Sequence, residues 1–313
     1  MKRKTILAVT ALLVCATTLS ACSGANNKIT FKEYWFENVG YTPNFVTETL
    51  VYDVKFEKGS GLSTNNYTVE YTNGTFETKL TLEEGYYLYE TSLTIDVTYL
   101  YGSETFTATD TTVSWVKFED SALMQPISSH KEIKNHVLNS DGSALAVYDY
   151  TLDTEYATDH KTGSTKLVDN ATSKKDDKPF EIEDRYTYLD NEQLLLALRG
   201  ISQTTSSGAF SVYAPFSTVV QTINVSFGSK VEGEEFSFEK NGTPFKNVVN
   251  YYPVSVSINA QSSGATQTAW IAATGDSSSN TYRNVMLQLK TPLSHNMGTL
   301  VYKLKSANFI VNS

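Results

Sequence analysis

Short stretches in which apolar and polar residues alternate recur along most of the chain, and this period of two constrains the fold more than any other feature. The stretch YTVEYTNGTFETKLTL, residues 67–82, shows it most clearly. Its Asn73-Gly74 pair is a strong signal for a two-residue hairpin, because a type I′ turn needs both central residues at positive φ. Pairing outward from that turn predicts one buried face. The residues predicted on that face are Tyr67, Val69, Tyr71, Phe76, Thr78 and Leu80.

The same alternation continues on both sides of this stretch. Gly102-Ser103 and Asn241-Gly242 each separate two alternating runs and predict further hairpins. The C-terminal half adds PVSVSINA, TAWIAAT, NVMLQLKT and TLVYKLKS, of which the last two are expected to pair across PLSHNMG. Because these strands, about a dozen in all, do not alternate with helices, the expected fold is mainly β with one antiparallel sheet, which excludes a parallel nucleotide-binding sheet.

Residues 153–185 differ from their surroundings because they are polar and nearly lack large apolar side chains. This composition predicts a polar insertion or long solvated hairpin, with a lid or partner-binding loop as the alternative. Composition is alike on both sides of the segment, so residues 29–313 are expected to form a single domain.

The N-terminus has the pattern of a secretory signal that ends in a lipidated cysteine. A basic head at residues 2–4 precedes an apolar run at residues 5–18, which is shorter than the roughly 20 residues of a membrane span. The following LSAC, residues 19–22, resembles the lipobox of bacterial lipoproteins, which implies a diacylglyceryl group on Cys22 and cleavage before it. Since two acyl chains anchor a protein stably, we expect a signal peptide over residues 1–21 and an extracytoplasmic protein anchored to the cell membrane by lipid.

The predicted tether, residues 22–28, is short, and the mature body is acidic. At no more than about 3.6 Å per residue, residues 23–28 reach roughly 20 Å before the first strand-like residue, Ile29. Loss of the three basic signal residues changes 25 basic residues to 22 against 34 acidic ones, so the net charge moves from −9 to −12. This charge excludes a nucleic-acid partner and gives no attraction to anionic lipid head groups.

Cysteine usage excludes several kinds of site. The chain has two cysteines: Cys15 leaves with the signal, and Cys22 is expected to be acylated. The mature body then has no disulfide, no cysteine nucleophile and no thiolate metal site.

Catalytic and metal-binding patterns are weak, so we expect no enzyme, no cofactor and no metal site. Ser128-Ser129-His130-Lys131 fits the S-x-x-K element of β-lactamases, but strands stand where those enzymes have a helical domain. The acidic clusters lack the loop of a calcium hand. The histidines, which lack the spacings of a zinc site, are His130, His136, His160 and His295.

Three tryptophans, Trp35, Trp115 and Trp270, together with 20 tyrosines, raise the possibility of an aromatic platform for a glycan. The alternative is that they lie in the core or in cross-strand pairs, where large aromatic residues on alternating strands are usually found.

YLDNEQLLLALRGIS, residues 188–202, is the stretch that predicts a helix. Asp190 is a good N-cap, and Gln193 three residues later completes a capping-box pair. Gly200 is expected at the C′ position, and Arg199 places positive charge at the helix C-terminus. The leucines and Ala197 leave almost no polar face. Such a helix is normally buried, and in a single curled sheet the concave side is where it can be.

The segment DNEQLLLALR, residues 190–199, resembles the pattern D-P-L-S-A-L-Y-A-L-R of an uncharacterised bacterial envelope family whose fold is similar to the lipoprotein carriers LolA and LolB. Asn191 stands where that pattern has Pro. TAWIA at 268–272 and GTLVYKLKS at 298–306 resemble the family's Trp-bearing and closing strands. The resemblance implies a half-barrel, in which an antiparallel sheet curls around a short helix and an apolar cavity holds acyl chains.

Together these features predict a noncatalytic, membrane-tethered lipoprotein that binds a lipid or another apolar ligand in a half-barrel cavity. A cell-surface protein that binds a glycan or protein partner is the alternative. Arg199 is expected at the cavity rim, where it would meet a lipid head group. The residues expected to bind the ligand are Leu194, Leu195, Leu198, Arg199 and Trp270.

Overall fold

The structure, a computed structural model, consists mainly of strands. It describes residues 29, 45–60, 67–121, 124–139, 142–183, 188–201, 207–258, 266–273, 284–293 and 297–311. The strands in these ranges are β1 Phe45–Lys58, β2 Tyr67–Glu83, β3 Tyr86–Tyr101, β4 Glu104–Glu119, β5 Pro126–Leu138, β6 Leu145–Tyr156, β7 Thr162–Asp169, β8 Lys174–Glu181, β9 Tyr188–Asp190, β10 Ser207–Ala214, β11 Val219–Phe227, β12 Glu235–Lys240, β13 Thr243–Val248, β14 Tyr251–Ile258, β15 Gln267–Ala272, β16 Met286–Pro292 and β17 Gly298–Val311. A 3₁₀ turn, Asn191–Gln193, leads into helix α1, Leu194–Gly200. The predicted mainly β fold with a short helix is confirmed, but the expected strand count is too low.

Backbone pairing joins the strands into one curled sheet. From β8 the ladder runs antiparallel through β7, β6, β5, β4, β3 and β2 to β1. It continues from β1 to β17 and then through β16, β15, β14 and β11 to β10, again antiparallel. β9 pairs with β10 in parallel and ends the ladder. The β12–β13 hairpin lies outside this order and touches β17 in parallel.

Alternate residues of each strand face a common interior. On β1, Leu50, Tyr52 and Val54 are almost completely buried. The register carries this inner face from Tyr52 to Phe76 on β2 and on to Leu93 on β3. These residues belong to one continuous apolar cluster that also contains the leucines of α1. The short helix therefore lies on the concave side of the sheet, as predicted.

Asn73-Gly74 does not form the predicted turn. β2 runs unbroken through both residues, and the chain reverses only at residues 84–85. Between Thr72 and Thr75 the register shifts, so that Asn73 and Gly74 together oppose the single Ile95 of β3. This is a β-bulge, whose extra residue switches the face on which the following side chains lie. The residues that therefore remain buried on one face are Val69, Tyr71, Phe76, Thr78 and Leu80.

The other two predicted turns are confirmed. Tyr101 pairs with Glu104 around Gly102-Ser103, and Lys240 pairs with Thr243 around Asn241-Gly242. Asn241 and Gly242 have φ angles of 49° and 73°, which is the backbone that a type I′ turn requires.

The two ends of the sheet overlap instead of meeting edge to edge. Tyr156 lies on the inner face of β6, while Tyr188 of β9 and Tyr213 of β10 lie on the outer face of their strands. These side chains pack together, whereas Leu189, on the opposite face of β9, joins the main core. β9 and β10 therefore lie beneath the inner face of β6 and β8. We call this second cluster the seam; it consists of Tyr156, Phe180, Ile182, Tyr188 and Tyr213.

Within residues 153–183, most of the chain belongs to the end of β6 and to the β7–β8 hairpin, and residues 171–179 are all exposed. β8 is an edge strand of the sheet and carries three lysines followed by Pro179. Charged residues and proline on an edge strand disfavour pairing with another chain.

Among the residues that the structure describes, no helix is long and apolar enough to cross a membrane.

Candidate functional site

The helix begins with the predicted cap. Asp190 accepts a hydrogen bond from the backbone N of Glu192 at 2.8 Å, and its own backbone N donates to Gln193 Oε1 at 2.8 Å. These bonds are part of a complete capping box, so the predicted N-cap pair is confirmed. Gly200 is still helical and Ile201 is the C-cap, so the expected C′ position of Gly200 is wrong.

The predicted ligand-binding leucines lie in the core. Leu194, Leu195 and Leu198 are 2%, 5% and 1% exposed, and they belong to the same apolar cluster as the inner faces of the strands. The helix therefore fills the concave side at these three positions. A ligand that contacted them would have to displace side chains from the core.

Arg199 is buried, so its expected position at a cavity rim is wrong. The guanidinium donates through Nη1 and Nη2 to the two carboxylate oxygens of Glu48 on β1, at 2.5 and 2.9 Å. Its Nε donates to the carbonyl of Asn284 at 3.0 Å, and Asn284 Nδ2 donates to the Arg199 carbonyl at 2.8 Å. The side chains of Arg199 and Glu48 are 4% and 2% exposed. Arg199 thus ties the C-terminal end of α1 to the inner face of the sheet.

A second buried ion pair holds the other end of the helical segment. Lys131 Nζ of β5 donates to Glu192 Oε1 at 2.9 Å, and the two side chains are 7% and 13% exposed. Burial acts to raise the pKa of the Glu192 carboxyl, but the Lys131 ammonium and several hydrogen bonds outweigh it and lower that pKa.

Asp190 joins this end of the helix to both β5 and β6. Its Oδ2 accepts hydrogen bonds from Ser129 Oγ at 2.6 Å and from Tyr156 Oη at 2.5 Å. Burial and the nearby Glu192 carboxylate raise the pKa of Asp190 to about 6, although the bonds from Ser129 and Tyr156 act in the opposite direction. Ser129 and Lys131, two residues of the S-x-x-K match, therefore hold the helix and the seam in place.

Trp270 lies on the outer face of the sheet, so its expected place in a concave cavity is wrong. Its neighbours on β15, Ala269 and Ile271, are the residues that face the core, at 0% and 1% exposed. The Trp270 ring stacks on Tyr251 with ring centroids 4.7 Å apart, and Phe236 of the β12–β13 hairpin packs edge-on at 6.3 Å. Trp270 therefore anchors that hairpin against the outside of the sheet.

One part of the inner face remains open. Tyr148 and Tyr150 lie on the same face of β6 as Leu152 and Tyr156, but they are only partly buried. Phe216, in the turn after β10, is 50% exposed and packs edge-on against Tyr150 with ring centroids 6.4 Å apart. We call Tyr148, Tyr150 and Phe216 the aromatic edge. It lies beyond the end of β10, where the overlap of the two sheet ends stops.

Sequence reasoning missed the aromatic edge. The alternation of β6 does place Tyr148 and Tyr150 with the core-facing Leu152. However, Phe216 packs against Tyr150 from 66 positions further along the chain, after a strand at the other end of the sheet order. No local pattern signals that contact.

Among the described residues, no group of three or more His, Asp or Glu side chains is arranged to hold a metal ion. His130, His136 and His160 each contact a carboxylate, at 2.6, 2.9 and 3.1 Å. Cys22, Trp35 and His295 lie outside the described residues.

Comparison with known proteins adds little to this picture. No family model and no curated protein matches the chain. One similar solved structure is the crystal structure of a β-barrel-like protein of a domain of unknown function, DUF1849, from Brucella abortus. It has a TM-score of 0.48 and 11% sequence identity, and the match covers 86% of this chain and 99% of that chain.

Proposed function

We propose that this protein is a noncatalytic, membrane-tethered extracytoplasmic lipoprotein that binds the acyl chain of a lipid at the aromatic edge. The observation that carries the proposal is the aromatic edge itself, in which the half-exposed Phe216 packs against the partly buried Tyr150 on the inner face of β6. Fully burying a phenylalanine contributes about 1.5–3 kcal/mol, so burying the exposed half of Phe216 against an apolar ligand contributes roughly 0.8–1.5 kcal/mol and favours an apolar occupant.

In this proposal the ligand contacts the aromatic edge and not the helix leucines that the sequence predicted. Leu194, Leu195 and Leu198 are already packed against the sheet, and ion pairs and a capping box hold the helix at both ends. In the proposal, α1 is the fixed floor of the concave side. The acyl chain lies against Tyr148, Tyr150 and Phe216 beyond the end of β10.

The position of the N-terminus supports a lipid as the apolar ligand. The backbone N of Ile29 donates to the carbonyl of Ala209 on β10 at 2.9 Å, and Phe216 follows the end of the same strand. Cys22 and Ile29 are seven positions apart, and so are Ala209 and Phe216, so the chain between the lipidated cysteine and the aromatic edge spans at most roughly 50 Å. A tether this short keeps the edge close to the bilayer that supplies the ligand.

The sequence resemblance at residues 190–199 agrees with this proposal. The LolA/LolB-like envelope family that it points to is expected to bind acyl chains inside a half-barrel. We therefore place the protein, as part of the proposal, among lipid-binding envelope lipoproteins of that kind.

Native mass spectrometry of the purified protein, compared with a Phe216→Ser variant, tests the proposal. We expect lipid adducts on the wild type, and an affinity for a fluorescent fatty acid that falls about 4- to 12-fold in Phe216→Ser, as loss of roughly 0.8–1.5 kcal/mol requires. Ile310→Ser is the matched control, because Ile310 is 60% exposed but lies on β17.

The control variant should keep both the adducts and the affinity of the wild type. A wild type that carries no lipid and does not bind the fatty acid would overturn the proposal. Equal binding by the wild type and Phe216→Ser, with thermal unfolding unchanged, would overturn the assignment of the site.

A further inference from the structure

A second aromatic surface lies on the outer face of the sheet, at Trp115 of β4 and His130 of β5. These residues are directly opposite each other in the pairing register. Their rings are nearly parallel, with an interplanar angle of 14° and centroids 5.7 Å apart. The neighbours of Trp115 on β4, Ser114 and Val116, are 1% and 0% exposed and face the interior. Trp115 is only partly buried, and it therefore presents its ring on the outside of the molecule.

Two exposed carboxylates fix the His130 ring. Nδ1 lies 2.6 Å from Asp153 Oδ1 and Nε2 lies 3.2 Å from Glu132 Oε1. Their side chains are 41% and 61% exposed, so each carboxylate keeps acceptor sites that face solvent. The His130 ring is thus held between two carboxylates and covers one face of the Trp115 indole, beside two acceptors that face solvent.

The residues around the two rings extend this surface along the sheet. Val113, on the same face of β4, is 42% exposed. Glu90 of β3 is opposite Trp115 in the register and pairs with Lys79 of β2 at 2.9 Å. An apolar and aromatic strip is thus bordered by carboxylates on both neighbouring strands.

We propose that this Trp115–His130 platform binds a neutral glycan. One face of a hexose ring consists of C–H groups that pack on the part of the Trp115 indole that His130 leaves exposed, while the hydroxyls around the hexose donate hydrogen bonds to Glu132 and Asp153. Charged hydrogen-bond partners of this kind give roughly twice the strength of neutral ones, which favours a ligand that is rich in hydroxyl donors.

The net charge of the chain disfavours anionic glycans and anionic membrane surfaces. Glu132 and Asp153 border the platform beside His130, Glu90 is balanced by Lys79, and the whole chain carries a net charge of −9. Sulfated or uronic-acid chains and anionic head groups would be repelled from such a surface. An acyl chain would displace water from Glu132 and Asp153 without donating hydrogen bonds in its place. The platform therefore fits a neutral polysaccharide, and it goes beyond the lipid site because it lies on the opposite face of the sheet.

The test uses the whole mature protein and soluble hexaoses of neutral β-linked glucose, with a hyaluronan oligosaccharide as the anionic comparison. Titration calorimetry should detect the neutral hexaoses and not the anionic one. Trp115→Ala should weaken neutral binding at least tenfold, and Glu132→Gln several-fold, since an uncharged amide is a weaker acceptor.

Phe216→Ser separates this proposal from the lipid proposal. It should leave glycan binding unchanged while it weakens lipid binding, and Trp115→Ala should weaken glycan binding while it leaves lipid binding unchanged. Binding of hyaluronan with similar affinity, binding of the hexaoses that survives Trp115→Ala, or no binding of any neutral hexaose would each overturn the glycan proposal.

Discussion

Replacing Arg199 by Met should destabilise the fold strongly, because it breaks the buried ion pair that ties α1 to β1. The two side chains are 4% and 2% exposed, and the contact is bidentate at 2.5 and 2.9 Å. Met keeps the apolar length of the Arg stem but removes its charge. Glu48 would keep its place on the inner face without its Arg199 partner. Breaking a pair of this kind costs about 3–5 kcal/mol, and total stability is only about 5–15 kcal/mol.

Urea unfolding followed by tryptophan fluorescence measures this loss. With a slope of about 3 kcal/mol per molar urea, the midpoint should fall by roughly 1–1.7 M in Arg199→Met. The double variant Glu48→Met/Arg199→Met should recover most of the loss, because two apolar side chains can replace a buried pair at little net cost. The double-mutant cycle then gives a large coupling energy between the two positions.

A small effect would refute the reasoning. If Arg199→Met lowers stability by less than about 1 kcal/mol, Arg199 does not occupy a desolvated pair and lies closer to solvent. If the double variant is as unstable as the sum of the single ones, the two residues are not coupled.

Three further changes test other parts of the structure. Gly74→Ala should lower the free energy of unfolding by about 1–3 kcal/mol, because the added Cβ would lie 2.7 Å from Val54 Cβ and 2.8 Å from the Val54 carbonyl oxygen. Thr75 is exposed, so Thr75→Ala is the control and should be nearly neutral in the same unfolding assay. Asp190→Asn should change the pH dependence of stability. A carboxyl whose pKa rises from 3.8 to about 6 on folding stabilises the protein at low pH and loses that contribution as the pH rises through 6. The wild type should therefore lose up to about 3 kcal/mol of stability relative to the variant between about pH 4 and pH 7, and parallel pH profiles would contradict this. Cys22→Ser should move the protein from the membrane to the soluble fraction and abolish incorporation of labelled palmitate, and a variant that still pellets with membranes would refute the lipid anchor.

Period-two alternation predicted which residues share a face better than it predicted where the chain turns. For β2, a hairpin and a bulge at Asn73-Gly74 both reverse the parity of the side chains that follow, so the same residues are buried in either case. The pattern carries no information on which of the two occurs. In the structure β2 continues past the bulge and pairs with β1, and Gly74 lies opposite Val54 with no room for a Cβ between them.

The N-terminal cap of the helix was predicted correctly from local sequence, the C′ position of Gly200 was not, and the long-range contacts of the helix could not be predicted. The capping pair of Asp190 and Gln193 lies within three residues, and the structure has it. Arg199 is hydrogen-bonded to Glu48, which is 151 positions away, and Asp190 is hydrogen-bonded to Ser129, which is 61 positions away. Sequence reasoning placed Arg199 at a cavity rim, where it would meet a lipid head group. Only the curl of the sheet brings Glu48 to meet it.

The candidate site lies at the aromatic edge and not at the predicted residues, again because of contacts between distant parts of the chain. Trp270 and the helix leucines are residue types that often line an apolar pocket. In the structure the β12–β13 hairpin covers Trp270, and the sheet covers the helix leucines. The aromatic edge exists because the sheet ends overlap only as far as the end of β10. That overlap depends on seam contacts between strands at opposite ends of the sheet order, and no stretch of sequence contains both partners.

Photo-crosslinking with a diazirine-bearing fatty acid, followed by peptide mapping, tests the central claim most directly. The claim is that an acyl chain binds at the open end of the overlap while the helix stays in the core. Label should fall on the peptides that contain Tyr148, Tyr150 and Phe216, and excess unlabelled fatty acid should compete it away. Label concentrated on Leu194, Leu195 and Leu198, or spread over the surface without competition, would contradict the account.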